Sequence, residues 1–183
     1  MQEAVDSSRA ELQDFDEVVR HHWQRVHRFI MASVRDADAA QTLTQDCFLR
    51  AYSGRGAFRG QASIKTWLMQ IAVNLVRDFG RNRRLQFWKR LRASAVNPGD
   101  IGDHLSDAAV SPEDQVLRKE QVQIIWQASQ SLPARQRTVF LLRFVEEMDL
   151  LEIAAVTGLK EGTVKMHLFR ALQTVREKLR RSK

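Results

Sequence analysis

Asp149-Leu150-Leu151-Glu152-Ile153-Ala154-Ala155-Val156-Thr157-Gly158-Leu159-Lys160-Glu161-Gly162-Thr163-Val164-Lys165-Met166-His167-Leu168-Phe169-Arg170 reads as two helices separated by a tight break. Leu150, Leu151, Ile153, Ala154 and Val156 form a short amphipathic run of about two turns. Gly158 falls where a helix C-terminus favours a left-handed residue. A second helix starts near Lys160-Glu161-Gly162, and Val164, Leu168, Ala171, Leu172, Val175 and Leu179 recur along one side of it at helical spacing. Its other face carries Lys165, His167, Arg170 and Arg176. A helix with one buried stripe and one basic face, positioned by a shorter helix across a brief turn, suits a DNA major groove.

Working outward, the charge distribution favours a polyanionic partner. The 183 residues carry a net charge of +7, and the excess is local. Residues 1–80 are neutral, with 10 basic and 10 acidic side chains, whereas 81–92 hold 6 basic ones and no acid. Residues 93–117 carry 5 acids and no Lys or Arg, and 118–183 carry 13 basic against 7 acidic residues. A basic excess confined to two stretches points to nucleic acid contacted at two places.

The remaining pattern is helical throughout. Phe15, Val18, Val19, Trp23, Val26, Phe29, Ile30 and Val34 define a first helix, and Asp36 and Asp38 sit where they can cap a second, with Leu43, Cys47, Phe48 and Ala51. The glycine-rich stretch Ser53 to Ser63 reads as a loop. A strong helix follows from about Ser63 to Arg84, leading into Arg81-Asn82-Arg83-Arg84 and Phe87-Trp88-Lys89-Arg90. Residues 1–12 read as frayed, and Ala93 to Val110, with Gly99, Gly102 and Pro98, as a flexible linker. Ser111-Pro112-Glu113-Asp114 starts a helix ending near Ser131, and Leu132-Pro133 starts another, Ala134 to about Glu146.

Several classes are disfavoured on the same residues. Cys47 is the single cysteine, so no intrachain disulfide and no cysteine-based zinc site is expected. His21, His22 and His27 are joined by no second ligand cluster, and Asp36 and Asp38 are explained as caps rather than as magnesium ligands. No catalytic residue, metal or cofactor is therefore expected. No apolar run approaches the ~20 residues of a membrane span, and Met1 to Asp16 lacks a signal-peptide core; a cytoplasmic chain without membrane insertion is expected.

Four blocks in order resemble the extracytoplasmic-function sigma factors of bacterial RNA polymerase. They are Gln45-Asp46-Cys47-Phe48-Leu49-Arg50-Ala51-Tyr52; Phe58-Arg59-Gly60 with Thr66-Trp67-Leu68, Asn74, Asp78 and Arg83-Arg84; Leu132-Pro133 with Arg135, Arg137 and Val139 to Arg143; and Glu152-Ile153-Ala154, Gly158, Gly162 to Lys165 and Arg170-Ala171. The resemblance implies an all-α fold of two small helical domains joined by a flexible linker, the second a helix-turn-helix. It implies a polymerase-binding and −10-melting domain over 10–92, an acidic linker over 93–111 and a −35-reading domain over 112–183. The partners implied are core RNA polymerase, promoter DNA and an anti-sigma factor. Leu43, Gln45, Asp46 and Leu49 would meet the polymerase. Phe58, Arg59, Trp67, Gln70, Asn74, Arg83 and Arg84 would meet the −10 element. Thr163, Lys165, Met166, His167, Phe169 and Arg170 would meet the −35 element. Met166-His167 stands where the family usually has Ser-Arg, which implies a different −35 preference. A DNA-binding regulator acting without polymerase shares only the last block, since the Trp67, Asn74, Asp78 and Arg83-Arg84 pattern has no purpose there.

Overall fold

The chain builds helices in two groups, each held by caps that the sequence supplies. The structure is a computed structural model that describes residues 14–60, 62–93 and 129–181, with backbone alone at 84, 86–93, 179 and 181. Helix α1 spans Phe15–Val34 and α2 spans Ala37–Gly54. A 3-10 turn, Arg55–Ala57, follows, and then α3, Ile64–Ala93. The second group is α4, Ala134–Phe144; α5, Leu150–Thr157; and α6, Glu161–Arg181. There is no strand among the described residues. The expected frayed N-terminus, the linker and most of the helix expected after Ser111 lie outside the described residues; Ser129 and Gln130 are helical.

Asp14 accepts from Glu17 N at 3.1 Å and Asp36 from Ala39 N at 3.0 Å, so each carboxylate satisfies an otherwise orphaned helix amide. Ser63 caps α3 through Thr66 N at 3.1 Å. Between α1 and α2 the chain turns on Arg35, which is left-handed at φ 58. Three helix ends depart from the sequence expectation, the first being α2, which runs through Ser53 to Gly54 into the stretch read as a loop. Helix α3 continues beyond Arg84 to Ala93, because Leu85 to Ala93 contains no Gly or Pro and is rich in good helix formers. Helix α4 stops at Phe144, short of Glu146. Its end is closed by Val145 N and Glu146 N on Leu141 O (2.9 and 3.1 Å) and by Met148 N on Leu142 O at 3.0 Å.

Burial follows the helical stripes. Val26, Phe29, Ile30, Ala40, Cys47, Ala51, Leu68 and Ala72 are fully buried where α1, α2 and α3 meet. The same apolar cluster continues into Leu142, Met148, Ile153, Val156 and Val164 of the second group. A smaller cluster of Leu132, Phe140, Ala171 and Val175 ties α4 to α6. The two helical groups therefore touch, with α3 against α5 and α1 against α4. Arg137 stitches this junction. Its Nε donates to Ser129 O (3.1 Å), its Nη2 to Gln130 O (3.1 Å) and Leu132 O (2.9 Å), and its Nη1 crosses to Ser33 O on α1 (3.2 Å). Arg35 Nη2 also donates to Gln130 O.

Candidate nucleic-acid interface

The opening stretch forms the expected pair of helices. Asp149 and Glu152 make a reciprocal capping box, with Glu152 N on Asp149 Oδ1 at 2.8 Å and Asp149 N on Glu152 Oε2 at 2.9 Å. Gly158 ends α5 at φ +70 and donates to Ala154 O at 2.9 Å. The left-handed residue costs glycine nothing, so the sharp entry into α6 is set locally. Val164, Ala171 and Val175 then turn inward.

Of the residues expected to read the −35 element, Lys165, Met166, Phe169 and Arg170 stand exposed. Met166 and Phe169 are 52% and 61% exposed, large apolar surface for a free helix face. Lys165 is paired with Glu161 at 2.6 Å. Thr163 is half-buried. His167 corrects the sequence reading, which put it on the outer basic face: it is half-buried and its Nδ1 is buried without a hydrogen-bond partner. The reason is its register, three residues after Val164 and four before Ala171, at the edge of the inward stripe. Burial lowers the His167 pKa, and Arg135 and Arg170 lower it further, which favours the neutral imidazole.

The first group presents a recess of about 370 Å³ lined by Arg50, Gly54, Ala57, Phe58, Trp67, Ile71 and Asn74. Phe58 is 7% exposed, and its ring lies 4.9 Å from Trp67, centroid to centroid, at 43°. Two tilted aromatics and an amide thus line one open recess. Asn74 Oδ1 accepts from Arg77 Nη2 at 2.9 Å, which fixes the amide. Arg59, Gln70 and Arg83 are exposed but do not line the recess, and the Arg84 side chain lies outside the described residues. Arg50 is a lining residue that the sequence reading did not single out. Asp46 holds its Nε and Nη2 at 3.1 and 2.9 Å, and this fork leaves Nη1 without a tie to Asp46.

The surface of α2 is mixed. Leu49 is 65% and Tyr52 48% exposed, Gln45 is exposed and Asp46 half-buried. Arg55 lies 3.6 Å over the Tyr52 ring. Phe48 faces inward, stacked on Trp23 at 5.5 Å. Leu43, expected at the polymerase contact, is half-buried and packs against the core, one turn before Cys47 on the inward stripe. No group of three or more His, Cys, Asp or Glu side chains able to hold a metal occurs among the described residues. Cys47 is buried, and that burial, with Asp46 nearby, pushes its thiol up to about 12, so it is not a thiolate near neutrality. No helix among the described residues is long and apolar enough to cross a membrane.

The second group is thus a helix-turn-helix with an exposed face on α6, and the first a three-helix group with an aromatic-lined recess. The comparisons with known proteins agree: the description Sigma-70 region 2 matches residues 18–86 and Sigma-70 region 4 matches residues 123–175. The chain belongs to the extracytoplasmic-function sigma factors of the sigma-70 family, which direct promoter-specific transcription initiation by core RNA polymerase. It is 33% identical over 171 residues to the RNA polymerase sigma-H factor of Pseudomonas aeruginosa, covering 91% of this chain and 86% of that one. It is 26% identical to the sigma factor SigW of Bacillus subtilis, covering 91% and 89%. Among solved structures, the sigma factor RpoE in complex with the anti-sigma factor NepR from Bartonella quintana superposes with a TM-score of 0.69 at 21% identity, covering 92% of this chain and 98% of that one. CnrH in complex with the cytosolic domain of CnrY gives 0.67 at 18%, covering 98% and 99%.

Proposed function

We propose that residues 10–92 bind core polymerase and trap the −10 element, that 93–111 is an acidic linker, and that 112–183 reads the −35 element. The observation that carries this division is the recess between Phe58, Trp67 and Asn74 on the helix whose far end bears the Arg81 to Arg92 run. An unpaired base lying against Phe58 and Trp67 offsets the few kcal/mol that unstacking costs, while the arginines hold the adjoining phosphates. Gln70, Arg59 and Asn74 supply polar groups around the trapped base. The chain itself performs no bond chemistry in this reading; the polymerase does. It acts in the cytoplasm, where the polymerase is. Two solved relatives in fold carry a partner chain, one of them described as an anti-sigma factor, which supports an anti-sigma partner for this chain as well.

The expected result separates melting from binding. Phe58→Ala and Asn74→Ala should impair open-complex formation on duplex promoter while leaving core polymerase affinity unchanged. A template carrying a premelted bubble should restore transcription. If the bubble gives no rescue in folded variants, the recess is not the base trap.

Polymerase binding is tested on α2. Gln45→Lys or Asp46→Lys should weaken binding to core polymerase by on the order of 1–3 kcal/mol at a hot spot. Circular dichroism should be little changed, since Gln45 is exposed and the Asp46 carboxylate is held by Arg50 of the next turn of the same helix. Unaltered affinity in both variants would remove this helix from the interface.

A further inference from the structure

Met166 and Phe169 are large, apolar and more than half exposed on α6, where every other exposed side chain that is described is charged or is Gln173. At about 100° per residue, Met166 lies about 140–180° around the axis from Val164, Ala171 and Val175, the buried side of α6. It therefore points away from the core. Phe169, three residues on, is its neighbour on the same surface. Gly162, four residues before Met166, extends that surface. It is exposed, it is not left-handed, and nothing lies within 4 Å of where a Cβ would stand. The fold asks for no glycine there, and the missing side chain leaves the approach to Met166 low.

The flanks of this apolar strip are cationic. Lys165 and Arg170 are exposed on either side of it. What covers the strip must be anionic around the rim and apolar at the point of contact. A DNA major groove meets both conditions: phosphates border it, and the apolar group that its base edges display is the C5-methyl of thymine. A thioether is at most a weak acceptor, so methionine discriminates poorly by hydrogen bonding. Its flexible, polarisable side chain is suited to covering a methyl group.

We infer that Met166, with Phe169 beside it, reads the −35 element by apolar contact with a C5-methyl group, so that the feature recognised is the methyl and not the base that carries it. The inference rests on the −35 assignment proposed above and deepens it. Cytosine and thymine place carbon 5 at the same edge of the groove, so a cytosine methylated there supplies the same contact. A promoter with cytosine at that position is weak when unmodified and stronger once methylated, which makes cytosine methylation an input to the promoter choice of this chain.

The test uses core polymerase carrying the full chain. Promoter fragments are selected from a library randomised across the −35 region, and each thymine of the selected site is then replaced singly by deoxyuridine. That change removes the methyl and keeps every hydrogen-bonding group. At one or two positions it should weaken binding about fourfold, the ~0.8 kcal/mol of one buried carbon group. With cytosine–guanine placed at such a position, methylating the cytosine at carbon 5 should strengthen binding about fourfold. Met166→Ser changes an exposed side chain and should leave the helical spectrum as it is. This variant should bind thymine and deoxyuridine templates equally at one of those positions. A selected site without thymine, or deoxyuridine that is neutral everywhere while scrambling the −35 region still abolishes selective binding, overturns the methyl reading and leaves the −35 assignment standing. Scrambling without effect overturns both. A folded Met166→Ser chain as sensitive to deoxyuridine as the unaltered chain at every position overturns the role given to Met166.

Discussion

Phe29→Ala is expected to destabilise the fold by about 3–5 kcal/mol, a large share of what a domain of this size possesses. Phe29 is fully buried on α1 and belongs to the cluster that runs through both helical groups. Truncating it removes the ring's burial and leaves a void that α2 and α3 cannot close without moving their own side chains. A lowered urea midpoint with an unchanged slope is the measurement, since the slope reports the surface exposed and not the contact removed. A loss under 1 kcal/mol would mean that the site collapses freely and that the α1–α2–α3 junction is loosely packed.

The second large effect lies on the recognition helix, and it discriminates between two kinds of DNA contact. Arg170 and Met166 are four residues apart, with Phe169 between, and all three are exposed on α6. Lys165 is displaced from Arg170 by about 140° around the helix, so the two cannot address one base. Arg170→Ala should cost about 1–3 kcal/mol at the preferred −35 sequence and relax specificity at one position. Lys165→Ala should weaken all sequences alike and reduce the salt slope by roughly one unit. Its pairing with Glu161 at 2.6 Å does not remove it from that role, since both side chains are largely exposed and the pair is worth little in water. Binding measured across a salt series on matched and scrambled sites separates the two. Equal losses on both sites for Arg170→Ala would assign it to the backbone.

The local half of this architecture was legible and the nonlocal half was not. Asp36 as a cap, Gly158 as a left-handed helix end and the inward stripe of α6 are properties of a few neighbouring residues, and each appears where the sequence places it. Phe58, Trp67 and Asn74 were named for the −10 element through the family resemblance; that they line one recess, without Gln70, is a finding of the structure. His167 was misjudged for the opposite reason. Residues at the margin of an apolar stripe can face either way, and what packs beside them decides. The buried Glu146 gave no signal at all. In the sequence it is only the end of the helix expected from Ala134, and its partners Arg25 and Lys65 are 121 and 81 residues away. No spacing rule reaches that far. Arg137 is similar: its place in the Leu132-Pro133 block was noted, but not that it would serve four carbonyls at once.

Helix α3 carries a geometric consequence for strand opening. Its 30 residues form a single rod about 45 Å long, clamped at one end by Leu68, Met69 and Ala72 in the core and with Gly80 to Arg83 all exposed toward the other. Asn74 at the recess and Arg83 at the basic end are nine residues apart, about 14 Å along the axis and close to the rise of four stacked base pairs. On the proposed −10 assignment, this spacing makes α3 a ruler. In the proposed reading it fixes how far upstream of the captured base the duplex stays closed, so the boundary of the bubble is a length written into one helix, independent of the linker and of how the −35 group is held.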